Sequence, residues 1–169
     1  MSRDYVVLHP GSARLEKFWE PDRWAGVIEL AADHGLGCVI TGGPSALEQT
    51  HIARIRSSTR RATVDLSAKI DLLTFAALIQ KARLLTTVDS APMHLAAATQ
   101  TPQVVLFGPT NPLHWRPRSA PATILQAGQA APLTEFSPKQ KRVPMNQIST
   151  EQVIDAMKAL LARPRASSP

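Results

Sequence analysis

The chain has 169 residues, of which 44% are hydrophobic and 19% charged, so it can bury the core of one ordinary domain. This composition excludes an intrinsically disordered chain. Its 19 lysines and arginines against 13 aspartates and glutamates give a net charge of +6. That balance favours an anionic partner, such as nucleic acid, a phosphorylated ligand or an anionic membrane surface.

Several classes of protein are disfavoured by composition. Only 5% of the residues are aromatic, and no zinc-finger or RNA-recognition string occurs, so we expect no nucleic-acid partner. The single cysteine, Cys38, excludes an intramolecular disulfide framework and a cysteine-based zinc cluster. No apolar run approaches the roughly 18 residues of a membrane span, and the first five residues do not open a secretory signal. We therefore expect a soluble cytoplasmic domain.

Short apolar runs alternate with helix-like stretches from residue 5 to about residue 126. Each run is bounded by glycine, proline or polar residues, which is typical of buried parallel strands. The runs are Tyr5–Leu8, Cys38–Ile40, Ala62–Leu66, Leu84–Val88, Val104–Phe107 and Thr123–Leu125. Their alternation with helices predicts right-handed crossovers and a doubly wound parallel sheet of the α/β class.

Capping signals predict where the helices begin and end. The first helix should begin at Pro21 and end at Gly35 in a left-handed conformation. Asp71 is predicted to cap the third helix, and Asp89 or Ser90 to cap the fourth. The predicted buried face of the first helix is Trp24, Val27, Ile28 and Ala31.

The alternation stops between residues 127 and 148, where three prolines and a basic cluster predict an irregular surface segment. The basic cluster is Lys139, Lys141 and Arg142. Ser149 and Gln152 then form a capping-box pattern, which predicts a last helix over residues 149–162 followed by a frayed tail. The apolar face of this helix is Val153, Ile154, Met157, Leu160 and Leu161. We predict a single domain over residues 1–169 without internal repeats.

Four predicted strand ends carry glycine, hydroxyl or charged residues, and in open parallel sheets ligands bind at the carboxyl ends of strands. They are His9–Ala13 with Lys17, Thr41–Pro44, Asp89–His94 and Gly108–Pro112. Taken singly, the glycine pairs could be tight turns and Asp89 a helix cap. Lys17 could be a solvated charge and His94 a core or boundary histidine.

The combination of these strand ends predicts a diphosphate site. Glycines allow close approach of the backbone, while Ser12, Ser90 and Thr110 add hydroxyls. Lys17 and His94 can supply positive charge. The dinucleotide string G-x-G-x-x-G and the P-loop string are both absent, so we predict a nucleotide site of another kind.

Three stretches carry a resemblance to a known family: Pro10–Ser12 with Lys17 and Trp19, Asp89–Ala97, and Phe107–Pro112. They resemble the ADP-heptose:lipopolysaccharide heptosyltransferases, the family 9 glycosyltransferases. The resemblance covers residues 5–126 and extends to the terminal helix. It implies the Rossmann-like, donor-binding C-terminal half of a GT-B glycosyltransferase that inverts the anomeric carbon and needs no metal or other cofactor. The acceptor half and the catalytic base would lie outside this chain, so the isolated chain should be inactive.

The resemblance also implies roles for individual residues. Ser12, Lys17 and Ser90 would contact the donor phosphates. Glu48 would accept a hydrogen bond from a ribose hydroxyl, and Ile70 would pack on the adenine. The full implied donor-binding set is Ser12, Ala13, Lys17, Glu48, Ile70, Asp89, Ser90, Ala91, His94 and Thr110.

Three positions depart from the family's habits. Ala13 lacks a hydroxyl that many members place there, so only its amide can contact a phosphate. Ala91 stands where glycine is common, and Phe18 stands where an arginine often follows the lysine. By the same resemblance, Asp89 and His94 would shape the pocket that holds the donor phosphates.

The implied partners are an ADP-heptose-like donor and, through the other half, a lipopolysaccharide-core or other glycan acceptor. Peripheral association with the inner face of the inner membrane would follow from the basic segment. Two alternatives stay open: a GT-B glycosyltransferase or epimerase that uses a UDP-sugar, and a non-catalytic nucleotide-binding or interaction module.

Overall fold

A computed structural model describes residues 4–131 and 143–164. Its six strands form one parallel sheet in the spatial order β3-β2-β1-β4-β5-β6. The strands are β1 (Tyr5–His9), β2 (Gly37–Ile40), β3 (Val64–Asp65), β4 (Leu84–Val88), β5 (Gln103–Phe107) and β6 (Ala122–Gln126). The doubly wound α/β sheet predicted from the sequence is confirmed, and its strand order reverses between β1 and β4.

The helices cover both faces of this sheet. They are α1 (Pro21–Asp33), α2 (Ala46–Ser57), α3 (Leu72–Lys81), α4 (Pro92–Ala98), α5 (Pro112–Trp115) and α6 (Thr150–Leu161), with short 3-10 turns at Leu15–Lys17 and Met145–Gln147. Alternate side chains of β1 point to opposite faces: Val6 and Leu8 pack with α1, α2 and α6, whereas Val7 packs with α3 and α4. Within the described residues, no helix is long and apolar enough to cross a membrane.

The ends of α1 follow the predicted signals. Pro21 is the first helical residue, and Gly35 has φ +71° just beyond the last turn. The Leu36 N–H donates to the Ala31 carbonyl at 2.9 Å, and the Gly35 N–H donates to the Ala32 carbonyl at 2.9 Å. This pair of bonds is a Schellman motif, which satisfies carbonyls that the helix end leaves without a partner.

The predicted cap of α4 is wrong, although the helix itself is present. The residue at the N-cap position is Ala91, and no side chain caps the helix. The Asp89 carboxylate binds Lys17 and Thr110, and the Ser90 hydroxyl donates to the Val88 carbonyl at 3.2 Å. A buried carboxylate gains more from a cation than from one main-chain N–H, so the ion pair takes Asp89 away from the helix end.

The segment after β6 is only partly as predicted. Ala127, Met145 and Ile148 are buried in the main core, so the prediction of a surface segment is wrong at both ends. The Trp19 Nε1–H donates to the Ile148 carbonyl at 2.9 Å and holds the returning chain against the core. The basic cluster at 139–142 and the predicted frayed tail beyond residue 164 lie outside the described residues.

The predicted capping box at the start of α6 is present. The Gln152 N–H donates to the Ser149 hydroxyl at 3.2 Å, and the Ser149 N–H donates to the Gln152 side chain at 2.8 Å.

We expect Ser149→Ala to lower the free energy of unfolding by about 1 kcal/mol, as measured by urea denaturation. Because the two bonds are reciprocal, the double variant Ser149→Ala/Gln152→Ala should cost less than the two single losses together. Additive losses would contradict this coupling.

Candidate functional site

Lys17 and Asp89 form an ion pair at the point where the strand order reverses. Lys17 ends the 3-10 turn after β1, and Asp89 directly follows β4. The Lys17 Nζ–H groups donate to Asp89 Oδ2 at 2.7 Å and to the Asp89 carbonyl at 3.0 Å. The two side chains are 13% and 6% exposed. The interpretation of Lys17 as a solvated charge is therefore wrong.

Thr110 adds the end of a third strand to this pair. It follows β5, and its hydroxyl donates to the same Asp89 Oδ2 at 2.5 Å. Because β1, β4 and β5 are neighbours in the sheet, one carboxylate oxygen joins three adjacent strand ends. The predicted convergence of these segments is confirmed.

Glu48 lies between the turns that follow β1 and β2. A Cβ atom added to Gly11 or to Gly43 would collide with its carboxylate oxygens, so the carboxylate lies directly against both turns and would have to move if either glycine were replaced. The side chain is 8% exposed, and the Ser45 hydroxyl donates to Glu48 Oε2 at 3.1 Å. The carboxylate is therefore held at the carboxyl edge of the sheet, one strand away from Lys17.

The predicted hydroxyls of Ser12 and Ser90 already make local bonds. Ser12 Oγ accepts from a main-chain N–H two residues further along at 3.3 Å, and Ser90 Oγ donates to a main-chain carbonyl two residues earlier. Ala13, Ala91 and His94 are exposed at the same edge.

Ile70 lies on the loop between β3 and α3 and is partly buried. Its loop is joined to the turn after β2 because the Ala68 N–H donates to the Gly42 carbonyl at 2.9 Å. The described contacts thus bring Lys17, Asp89 and Thr110 together, while Ile70 shares the edge at a distance of several strands.

Two buried histidines lie beside the site. His9 was predicted only as the start of the first polar strand end, and His51 was not singled out from the sequence. His9 ends β1, with Nδ1 3.0 Å from Thr41 Oγ1 and its ring stacked on Phe75 at 5.5 Å. His51 follows Glu48 by three residues, and its ring centroid lies 4.4 Å from that of Phe18. The Phe18 that departs from the family pattern therefore packs on α2. The sequence signal for a buried histidine at the site was the apolar run that directly precedes His9. His51, within α2, has no such signal.

Burial keeps both histidines neutral at pH 7. Desolvation lowers the pKa of His9 to about 4. Desolvation and then the charge of Arg54 lower the pKa of His51 to about 4. Neither ring adds positive charge to the site, which leaves Lys17 as its buried cation.

An open groove of about 570 Å³ lies on the other side of the Leu15–Lys17 turn. Its walls are Leu15, Glu16, Phe18, Glu20, Pro109, Val143, Pro144, Met145 and Asn146. None of the residues predicted to bind a ligand lines this groove. The groove and the strand-end cluster nevertheless adjoin, because they share the Leu15–Lys17 turn and, through Pro109, the segment after β5 that carries Thr110. Within the described ranges, no three His, Cys, Asp or Glu side chains lie close enough to hold a metal ion.

The sheet order and the polar strand ends define a Rossmann-like α/β domain, in which ligands bind where the strand order reverses. The chain belongs to glycosyltransferase family 9 (heptosyltransferase), whose model matches residues 1–145. The resemblance seen in the sequence is confirmed.

Individual relatives agree with this family. The chain is 34% identical over 160 residues to lipopolysaccharide heptosyltransferase 3 of Escherichia coli K12, covering 93% of this chain and 46% of that protein. A family 9 glycosyl transferase structure from Veillonella parvula matches with a TM-score of 0.81 and 28% identity, over 94% of this chain and 46% of that one. The structure of E. coli ADP-heptose lps heptosyltransferase II has the same fold, with a TM-score of 0.78 and 24% identity over 94% of this chain and 46% of that one. The chain spans about half the length of the relatives it matches.

The lowered pKa values predict acid sensitivity. Between pH 6.5 and about 4 the unfolded chain binds more protons at His9 and His51 than the folded chain, so stability falls as the pH falls through this window. Each histidine should contribute a slope of up to about 1.4 kcal/mol per pH unit. We expect urea denaturation at pH 7, 6 and 5 to give a free energy of unfolding that changes less steeply with pH in His9→Gln than in the wild type. The change with pH should be smaller still in His9→Gln/His51→Gln. Equal slopes in all three proteins would contradict the assignment.

Proposed function

We propose that this chain is the donor-binding half of an inverting, metal-independent heptosyltransferase and that it holds a nucleotide-sugar of the ADP-heptose type. The observation that carries this proposal is the partly buried Lys17 ammonium at the reversal of the strand order, between turns that bear glycine and hydroxyls. Membership of the heptosyltransferase family supports the reaction class.

Lys17 is the group that would receive the diphosphate. An ammonium has three N–H donors, and two of them point to Asp89. The third is left for a phosphate oxygen. Main-chain N–H groups of the turns at Ser12, Ala13, Ser90 and Ala91 would add further donors. Because Asp89 already compensates the charge of Lys17, we expect ADP alone to bind weakly.

The predicted binding residues lie along the edge of the sheet in the order of the phosphates, the ribose and the base of a nucleotide. Lys17 is at the β1 and β4 ends, Glu48 lies between the β1 and β2 turns, and Ile70 follows β3. Neighbouring strands are about 4.8 Å apart, so these positions span roughly 10 Å, about the length of a nucleoside. In this arrangement Glu48 accepts a hydrogen bond from the ribose and Ile70 packs on the adenine. His94 borders the phosphates.

Exposed apolar side chains support a second half above this edge. Among the described residues, five of the six exposed large hydrophobic side chains lie on four segments that leave the carboxyl ends of strands, and the sixth, Val64, lies on the edge strand β3. The five are Leu15, Leu47, Leu72, Leu73 and Trp115. Apolar surface concentrated on one edge is typical of a face that another domain covers. That half would supply the acceptor site and the catalytic base.

The proposed reaction is a single displacement. An acceptor hydroxyl attacks the anomeric carbon from the face opposite the diphosphate, and the bond from that carbon to the diphosphate oxygen breaks. The base in the other half takes the hydroxyl proton, and Lys17 stabilises the departing diphosphate. The isolated chain should therefore show no transfer. The acceptor would be a lipopolysaccharide-core or other glycan, met by a cytoplasmic enzyme at the inner face of the inner membrane.

Nucleotide binding by Lys17→Ala tests the phosphate contact. We expect ADP to bind at least about tenfold more weakly, because a charge-assisted bond is worth roughly 1.5–3 kcal/mol, while adenosine binding stays unchanged. Calorimetry on the wild type and the variant measures the binding of both ligands.

The free energy of unfolding of Lys17→Ala should also fall by about 2 kcal/mol or more, because Asp89 stays buried without its cation. The double variant Lys17→Ala/Asp89→Asn should recover stability and keep the weak ADP binding.

A control variant and the contrary outcomes make this experiment specific. Lys158→Ala, which removes an exposed lysine of α6, should bind both ligands as the wild type does. Equal losses of ADP and adenosine binding, or no loss of either, would place the phosphates elsewhere. Tighter binding of UDP than of ADP by the wild type would replace the ADP-sugar with a UDP-sugar. Failure to bind any nucleotide would favour a non-catalytic interaction module.

A further inference from the structure

Asp89 Oδ2 accepts two hydrogen bonds from opposite sides of the strand reversal. Lys17 Nζ donates at 2.7 Å from the turn after β1, and Thr110 Oγ1 donates at 2.5 Å from the segment after β5. The Asp89 side chain is 6% exposed, so these donors take the place of solvent at that oxygen. The carboxylate is held by its two neighbours together.

Thr110 has no proton left for a ligand phosphate. A threonine hydroxyl carries one donor, and in this structure that donor points to Asp89. Phosphate oxygens only accept hydrogen bonds, so a direct contact with Thr110 would require breaking this bond. The geometry therefore disfavours the donor-contact role that the family resemblance implied for Thr110.

We propose that Thr110 is a positioning residue, which directs the Lys17 ammonium through Asp89. With its hydroxyl bond in place, Asp89 keeps one orientation and holds two of the three Lys17 N–H groups, so the third N–H points in a defined direction. Without that bond the carboxylate can turn about its terminal torsion, and Lys17 then keeps only its bond to the Asp89 main-chain carbonyl as a fixed contact, so its remaining N–H groups lose their defined direction. The identity of the ligand at that third N–H rests on the proposed function, whereas the Thr110–Asp89–Lys17 relay does not.

Two substitutions separate the hydroxyl from the shape of the side chain. Thr110→Val keeps the shape and removes the donor, and Thr110→Ser keeps the donor and removes the methyl group. We expect Thr110→Val to weaken ADP binding about fivefold, the effect of one lost hydrogen bond, without changing adenosine binding. Thr110→Ser should restore ADP binding. Thr101→Val is the matched control, because Thr101 precedes β5, at the end of the strand opposite Thr110, and its hydroxyl donates to the Ile79 carbonyl. This variant should bind ADP and adenosine as the wild type does.

A second readout needs no nucleotide. Limited acetylation of the folded protein, followed by mass spectrometry, gives the rate at which Lys17 reacts relative to the exposed Lys158. We expect Lys17 to react several-fold faster in Thr110→Val than in the wild type, in Thr110→Ser or in Thr101→Val. Unchanged or slower reaction in Thr110→Val, with the protein folded by circular dichroism, would overturn the relay. Absence of ADP binding by the wild type would overturn the proposed function, and the acetylation rates would still decide whether Thr110 positions Lys17.

Discussion

The ion pair between Lys17 and Asp89 is the interaction on which the whole candidate site depends. Burying an ammonium and a carboxylate costs several kcal/mol unless each finds partners, and here a main-chain carbonyl and a threonine hydroxyl complete the set. The pair closes the loops after β1 and β4 against each other at the reversal of the strand order. Because Asp89 compensates most of the Lys17 charge, the proposed binding of a diphosphate would depend on the backbone N–H groups of the turns as well.

The framework of the sheet was readable from the sequence because its signals are local. Buried runs such as Leu84–Val88 are bounded by polar residues, and the Pro21 and Gly35 signals mark the ends of α1 within a few residues of chain. The capping box at Ser149 is equally local. Each of these patterns depends on residues no more than about four positions apart, where local backbone geometry decides which element forms and where it ends.

The errors arose where the partner lies far along the chain. Asp89 was expected to cap α4, but its partner is a lysine 72 residues earlier, and no local pattern records that pairing. Met145 and Ile148 were expected at the surface because prolines break the periodicity around them. Their burial depends on Trp19, which holds the returning chain. The family resemblance predicted Lys17, Asp89 and Thr110 as members of one site, but it did not show that Thr110 faces Asp89.

The sequence distance between the paired groups has a consequence for how the domain folds. Lys17, Asp89 and Thr110 meet only when β1, β4 and β5 are side by side, so no partly folded segment contains the site. A ligand that binds there would stabilise the assembled sheet against global unfolding and would do little against local fraying of its edges. Amide exchange would then slow along the whole length of the central strands, including the ends far from the ligand, while the exchange rate of the two-residue edge strand β3 would stay unchanged.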